Sequence, residues 1–368
     1  MAAVASALEG PYSLTGLATR DLHEIVAETR YMADDLRGAC LLVTGATGWF
    51  GTWLLEGLLA LNRVESLDLS IVALSRWPDR FAKIHPALHA AAEITWIAGD
   101  VRDAQLSIDA PLTHVIHAAT ASSAAAATQP DVLFDTIVEG TRNVFACARR
   151  QRARRFLFVS SGAVYGRQSR GITRFAEASF DASSPVPDIS KESDAYTRGK
   201  RKAESDLLAA MADGDPAVSI ARCFAFVGPH MPFDTHFAIG NFIRDANEGW
   251  PIHIAGDGTP RRSYLYMSDL VVWLLVMLVY GVPGRGYNVG SPDAITVRAL
   301  ADRCAALASP SSSVVVAGRA GGFDYVPDVS RACGELGLSV GVSLDEAIAR
   351  TVRWSASRDA SVFHREVS

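Results

Sequence analysis

Residues 41–51 read LLVTGATGWFG: an apolar run, then Gly45, Gly48 and Gly51 in the spacing G-x-x-G-x-x-G, then a helical pattern from Thr52. That order of strand, glycine turn and helix is what a bound pyrophosphate requires. Glycines let the backbone come close, and a helix N-terminus offers N–H groups to an anion. The triplet alone is a weak signal. A second signature, Tyr196-x-x-x-Lys200, follows about 150 residues later, roughly one cofactor-domain length. Together they predict an enzyme that moves hydride to or from a nicotinamide ring.

Composition narrows the alternatives. With 368 residues, 49% of them apolar, the chain can bury a large core and is expected to hold two lobes. The 35 basic and 40 acidic residues leave a net charge of -5, which gives no footprint for nucleic acid. The local cluster Arg149, Arg150, Arg152, Arg154 and Arg155 reads as a solvated helix end. Cys40, Cys147, Cys223, Cys304 and Cys333 are scattered, odd in number and without metal-type spacing, as expected of a protein of the reducing cytoplasm that holds no metal. The N-terminus does not read as a secretion signal. The longest apolar run, Leu270 to Val282, is short of the roughly 20 residues a membrane helix needs and reads as a buried helix.

Residues 1–37 precede the first strand, and Asp21 to Leu36 carries Leu22, Ile25, Val26 and Met32 at helical spacing. This predicts an appended helix, packed on the core or on a second subunit. Strands and helices then alternate as in a parallel sheet covered on both faces. The strands are read at Cys40–Thr44, Ser70–Leu74, Ile94–Ala98, His114–His117, Arg155–Ser160 and Val218–Arg222. Helices are read at Thr52–Leu61, Val132–Arg150 and Tyr196–Met211. The expected fold is α/β, a Rossmann-type doubly wound parallel sheet over 38–222, rejoined by about 268–290 with Tyr287–Gly290 as a late strand, and a smaller C-terminal α/β substrate lobe over 223–368.

Eight segments in one order support a family. They are VTGATGWFG, GDVRD at 99–103, HVIHAAT at 114–120, EGTRNV at 139–144, FVSSGAVYG at 158–166, AYTRGKRKAE at 195–204, RCFAFVGP at 222–229 and RRSYLYMSDL at 261–270. Along nearly the whole chain after residue 38 they resemble the extended short-chain dehydrogenase/reductases, in the nucleotide-sugar epimerase/dehydratase branch. The resemblance implies NAD or NADP in the first lobe, a nucleoside-diphosphate sugar in the second, and a homodimer through the helices at 132–150 and 196–211.

It also implies site residues. Ser161, Tyr196 and Lys200 resemble the catalytic trio. Tyr and Lys at i and i+4 share a helix face, so the ammonium can lower the tyrosine pKa and reach the cofactor ribose. A tyrosinate then serves as base toward a sugar hydroxyl, and Ser161 orients the same oxygen. Gly45, Thr47, Gly48, Trp49, Phe50 and Gly51 form the expected phosphate loop. Asp100 and Val101 resemble the adenine clamp, although Asp100 also reads as a turn former. Ala118, Ala119 and Thr120 are placed beside the nicotinamide half, as is Phe224; His117 reads as structural. After the second strand stand Ser75 and Arg76 rather than the acidic residue of an NAD site, which tips the expectation to NADP, with a solvent-facing Arg76 and NAD as the other reading. Arg262 aligns with the arginine that holds the substrate diphosphate. Gly162 lies beside the sugar, and Asn241 is either a nucleotide contact or a helix residue with no ligand.

The departures from the family bear on the reaction. Its 4,6-dehydratases carry an acid pair after the catalytic Ser/Thr, and its decarboxylases keep one Glu there; this chain has Gly162 and Ala163. Ala225 and Val227 replace the usual Asn and Tyr, and Ile137 stands where an Asn is frequent. What remains is chemistry needing only Ser, Tyr, Lys and nicotinamide. A sugar-nucleotide 4-epimerase is the first expectation and a 4-ketoreductase the second, followed by dehydratase, decarboxylase and a non-catalytic dinucleotide sensor.

Overall fold

Cys40–Thr44 is apolar up to its closing threonine, and all of it is buried. A strand covered on both faces belongs in the interior of a parallel sheet. The computed structural model describes residues 13–120, 129–166, 173–179, 194–211, 216–233, 237–308, 312–318 and 322–357. The first twelve residues of the expected extension and the end of the 223–368 lobe lie outside these.

The sheet has seven strands: β1 (Cys40–Thr44), β2 (Ser70–Ser75), β3 (Ile94–Ala98), β4 (His114–His117), β5 (Arg155–Ser161), β6 (Ala217–Cys223) and the late strand Gly286–Val289. Starting from the late strand, the order is β6, β5, β4, β1, β2, β3. β1 pairs in parallel with both β2 and β4, so the strand order reverses between β1 and β4. In open α/β sheets such a reversal leaves a crevice beyond the strand ends where ligands bind. The loops after β1 and β4 meet there: a Cβ on Gly45 would stand 2.7 Å from the Ala118 carbonyl oxygen.

β2, β5 and β6 each run one residue further than the sequence pattern indicates, to Ser75, Ser161 and Cys223. Apolar periodicity stops at these polar or thiol side chains, but backbone pairing does not. Ser75 is in register with Ala98, and Ser161 with Cys223. The helix that follows β1, Trp49–Glu65, starts three residues before Thr52 because Gly48 already occupies the N-cap.

Around this sheet lies the first compact unit, residues 1–166, 180–223 and 271–287. It includes the helices Pro130–Arg150 and Ala195–Ala210. The stretch expected as one helix over 21–36 is broken into Thr19–Thr29, a 3-10 turn Arg30–Met32 and a short Ala33–Leu36. Thr29 donates its hydroxyl back to the Ile25 carbonyl at 2.6 Å, a bond that bends helices. Leu22, Ile25, Val26 and Met32 are buried, and Ile25 packs close to Gly57 of the 49–65 helix.

The second unit comprises 167–179, 224–270 and 288–368. Its described strands pair two by two: Phe226–Val227 with Leu265–Tyr266, Arg261–Arg262 with Ile295–Thr296, and Ile252–Ile254 with Val314–Val316. The helices Ala238–Asn247, Val297–Ala308 and Leu344–Ala356 accompany them. The apolar run read at 270–282 is the helix Met267–Tyr280. Among the described residues no helix is long and apolar enough to cross a membrane, and no three His, Cys, Asp or Glu gather where they would hold a metal ion.

Candidate active site

The glycine loop is built by exclusion of side chains. Gly45 has φ +71, a left-handed backbone that favours glycine. A Cβ on Gly51 would run into the Gly45 carbonyl and come within 2.5 Å of Ala46. The loop can therefore close only if both positions lack a side chain. Gly48 donates to the Gly45 carbonyl at 3.0 Å and caps the 49–65 helix, whose first turn carries Trp49, Phe50 and Gly51. The N–H groups of a first helical turn have no partner within the helix, and with the helix dipole they favour a phosphate. A dinucleotide pyrophosphate fits this cradle.

The loop is tied to the next strand. The hydroxyls of Thr47 and Ser75 lie 3.1 Å apart, and Ser75 also accepts the Trp77 N–H at 3.3 Å. Arg76 is exposed. Its charge is felt at Asp100, the residue expected to hold adenine. The Asp100 carboxylate is gripped by Arg102, with Nε at 3.1 Å, Nη2 at 2.7 Å and the backbone N–H at 2.9 Å. Arg102 accordingly holds Asp100 below the usual carboxylate range. Val101 is buried against Gly140, and Asn143 donates to its carbonyl at 3.1 Å.

Ser161, Tyr196 and Lys200 come together in the same unit. Ser161 ends β5, and its hydroxyl accepts the Ala163 N–H at 3.1 Å, which caps the turn Gly162–Tyr165. Tyr196 is half-buried near the start of the 195–210 helix. Burial pushes its phenol up to about 12, opposed by a hydrogen bond with Ser161. The buried Lys200 donates to the Val159 carbonyl at 2.7 Å and to the Thr120 hydroxyl at 2.8 Å. Its Nζ lies 4.7 Å from the Phe158 ring centre and 5.8 Å from that of Tyr196. Burial lowers its pKa to about 8, against the opposing pull of Cys223 and Glu204. In this arrangement burial, not the lysine charge, dominates the tyrosine. Ile137, in place of the frequent Asn, packs against Gly199: a Cβ there would stand 3.1 Å from its Cδ1.

The remaining expected residues lie in the second unit. Arg262 donates through Nη1 to the Arg261 carbonyl at 2.8 Å and the Phe323 carbonyl at 2.6 Å, with its guanidinium carbon 5.7 Å from the Phe323 ring centre. The Phe224 ring lies 4.7 Å from that of Tyr325, which bridges Arg262, so both expected contacts flank one segment. Asn241 sits in the first turn of the 238–247 helix, its N–H bonded to the Phe237 carbonyl at 3.1 Å.

Two features of the site carry no motif. Glu204 and Arg222 form a buried ion pair behind the trio, joined by Ser160 and Tyr165. Glu204 follows Lys200 by one turn, the only hint in the sequence. Cys223 stands in register with Ser161 as a buried neutral thiol, its pKa pushed up to about 12 by burial.

The family model for the NAD-dependent epimerase/dehydratase family matches residues 41–290. UDP-glucuronic acid decarboxylase 1 of Arabidopsis thaliana is 30% identical over 219 residues, 59% of this chain and 48% of that protein, so the match spans about half of its length. dTDP-glucose 4,6-dehydratase of Streptomyces antibioticus is 29% identical over 85% of this chain and 91% of its own. Among solved structures, a UDP-glucose 4-epimerase from Thermotoga maritima, determined with UDP-glucose, superposes with TM-score 0.72 at 19% identity, covering 86% of this chain and 98% of that one. A dTDP-glucose 4,6-dehydratase from Streptomyces venezuelae, determined with NAD, gives 0.72 at 25% identity, covering 87% and 97%. With 41–290 matched by the family model and the glycine loop and Ser-Tyr-Lys set inside that span, the chain belongs to the NAD-dependent epimerase/dehydratase family.

Proposed function

We propose that this chain oxidises and re-reduces C4 of a nucleoside-diphosphate sugar, as a 4-epimerase. The observation that carries this reading is a full Ser161, Tyr196 and Lys200 set beside a turn, Gly162–Tyr165, that begins with a hydrogen and a methyl side chain. Elimination of water needs an acid and a base at the sugar, and neither Gly162 nor Ala163 can be one. The dinucleotide, when bound, supplies the hydride acceptor and donor. Tyr196 takes the C4 hydroxyl proton and returns it, Ser161 holds the same oxygen, and Lys200 keeps positive charge beside the phenolate. Arg262 takes the diphosphate and Asn241 the nucleotide. A 4-ketoreductase would perform only the second, reducing half of this chemistry, with exchangeable NADPH.

The cofactor is NAD or NADP, and Arg76 just after β2, with no carboxylate there, favours NADP; Arg76→Ala should then weaken NADP binding while sparing NAD. We infer a cytoplasmic protein, a reading supported by its free cysteines, and a homodimer through the 130–150 and 195–210 helices; sedimentation as a monomer at micromolar concentration removes the dimer. The reaction is tested by incubating purified protein with UDP- and dTDP-sugars and reading products by NMR and mass. A C4 epimer of unchanged mass is expected. Loss of water or carbon dioxide, or consumption of NADPH by a 4-keto sugar nucleotide without epimer formation, overturns it.

A further inference from the structure

A continuous chain of hydrogen bonds runs through the first unit and ends on Lys200. The Thr141 hydroxyl donates to the Ile137 carbonyl at 2.6 Å. Having spent its proton, its oxygen can only accept from His117 Nε2, 3.1 Å away, so the ring proton sits on Nε2. His117 Nδ1 is then the acceptor for the Thr44 hydroxyl at 2.7 Å. The Thr44 oxygen in turn accepts the Ala119 N–H at 3.1 Å. The Ala119 carbonyl accepts the Thr120 hydroxyl at 2.8 Å, which leaves the Thr120 oxygen to accept from Lys200 at 2.8 Å. Every link has one sense, because burial and the Lys200 charge keep His117 neutral, at about 3.

We propose that Thr120 is a positioning residue for Lys200, and that His117, acting through Thr44 and Ala119, sets the place of Thr120. A lysine ammonium has three N–H donors in tetrahedral array. Two of them are committed, to Thr120 and to the Val159 carbonyl on β5, so the direction of the third is determined. That third donor is what remains for the groups Lys200 serves. The proposal rests on the reading of Lys200 as the ammonium of a Ser-Tyr-Lys site. Facing Lys200 are Tyr196 and Glu204 on its own helix, Cys223 on β6 and the neutral His117 on β4. Glu204 is the one carboxylate among them, and it is closed off in its pair with Arg222.

The test compares Thr120→Val, which keeps the shape and removes the oxygen, with Thr120→Ser. The readout is NADH or NADPH affinity by fluorescence as a function of pH, which needs no sugar. Loss of a neutral acceptor for an ammonium should move the alkaline limb of binding down by about one pH unit in Thr120→Val. Thr120→Ser should keep the limb of the unchanged protein. Thr44→Val should reproduce the Thr120→Val shift, since it releases Ala119. Thermal melting of each variant checks folding, and Thr120→Ala replaces any valine variant that does not fold. A limb that stays in place in Thr120→Val or its alanine substitute overturns the proposal, and one that moves with Thr120 but not with Thr44 overturns the part played by His117. Failure to turn over any sugar nucleotide would sink the epimerase reading while leaving this readout intact.

Discussion

Arg222 Nη2 lies 2.9 Å from Glu204 Oε2, and neither side chain is more than 5% exposed. The pair joins β6 to the helix of Tyr196 and Lys200. Ser160 donates to the same carboxylate at 2.5 Å, and Arg222 Nη1 donates to the Tyr165 hydroxyl at 3.0 Å. Four residues thus lock together the strand end, the turn after Ser161 and the helix of Tyr196 and Lys200. Removing one charge from a buried pair costs about 3–5 kcal/mol, because the other is left uncompensated. Glu204→Gln should therefore lower the unfolding free energy by that amount in urea denaturation. A variant that also replaces Arg222 with Met should recover part of the loss, and full additivity of the two changes would contradict direct coupling.

His117 gives acid sensitivity a definite sign. Its folded pKa is lowered to about 3, against 6.5 when exposed, chiefly by burial. Below pH 6.5 the unfolded chain takes up a proton that the folded chain refuses, so stability falls by about 1.4 kcal/mol per pH unit as pH drops from 6.5 toward 3. His114, lowered to about 4 by burial and nearby arginines, adds in the same direction. Replacing His117 with Asn should flatten the pH dependence of the unfolding free energy between pH 6 and 4, whatever it does to the absolute value. An unchanged slope would mean that His117 does not stay neutral.

Gly51→Ala should lose dinucleotide binding, because its methyl group would collide with the Gly45 carbonyl and with Ala46 inside the loop. Gly48→Ala should be tolerated far better, since a Cβ there comes no nearer than 3.4 Å to the Gly45 oxygen. Titration of both variants with cofactor, followed by fluorescence, separates the two positions.

Tyr196→Phe should lower turnover by about 10²–10⁴-fold, the range for a positioned acid–base group, with cofactor affinity kept. Arg262→Ala should act mainly on KM for the sugar nucleotide, because in the proposed reaction its fork would bind the diphosphate equally before and during the hydride step. Steady-state kinetics on the two variants checks the split, and a Tyr196→Phe protein of full activity contradicts the mechanism.

The strand–glycine–helix unit, the Tyr196/Lys200 face and five of the six expected strand starts were legible from the chain alone. Each rests on local rules: a run of apolar residues, a backbone that only glycine adopts, two side chains four apart on a helix. Strand ends were read short at Ser75, Ser161 and Cys223, because apolar patterning reports burial while backbone pairing continues past it. Long-range polar partnerships left no such trace. His117 meets Thr44 from 73 positions away and Thr141 from 24, and nothing in the spacing selects these threonines among the others. The same holds for Arg222 and Glu204, 18 apart. Hydrogen-bond partners are chosen by which strands lie side by side, and the order that brings β4 next to β1, and β6 next to β5, arises only when the sheet assembles.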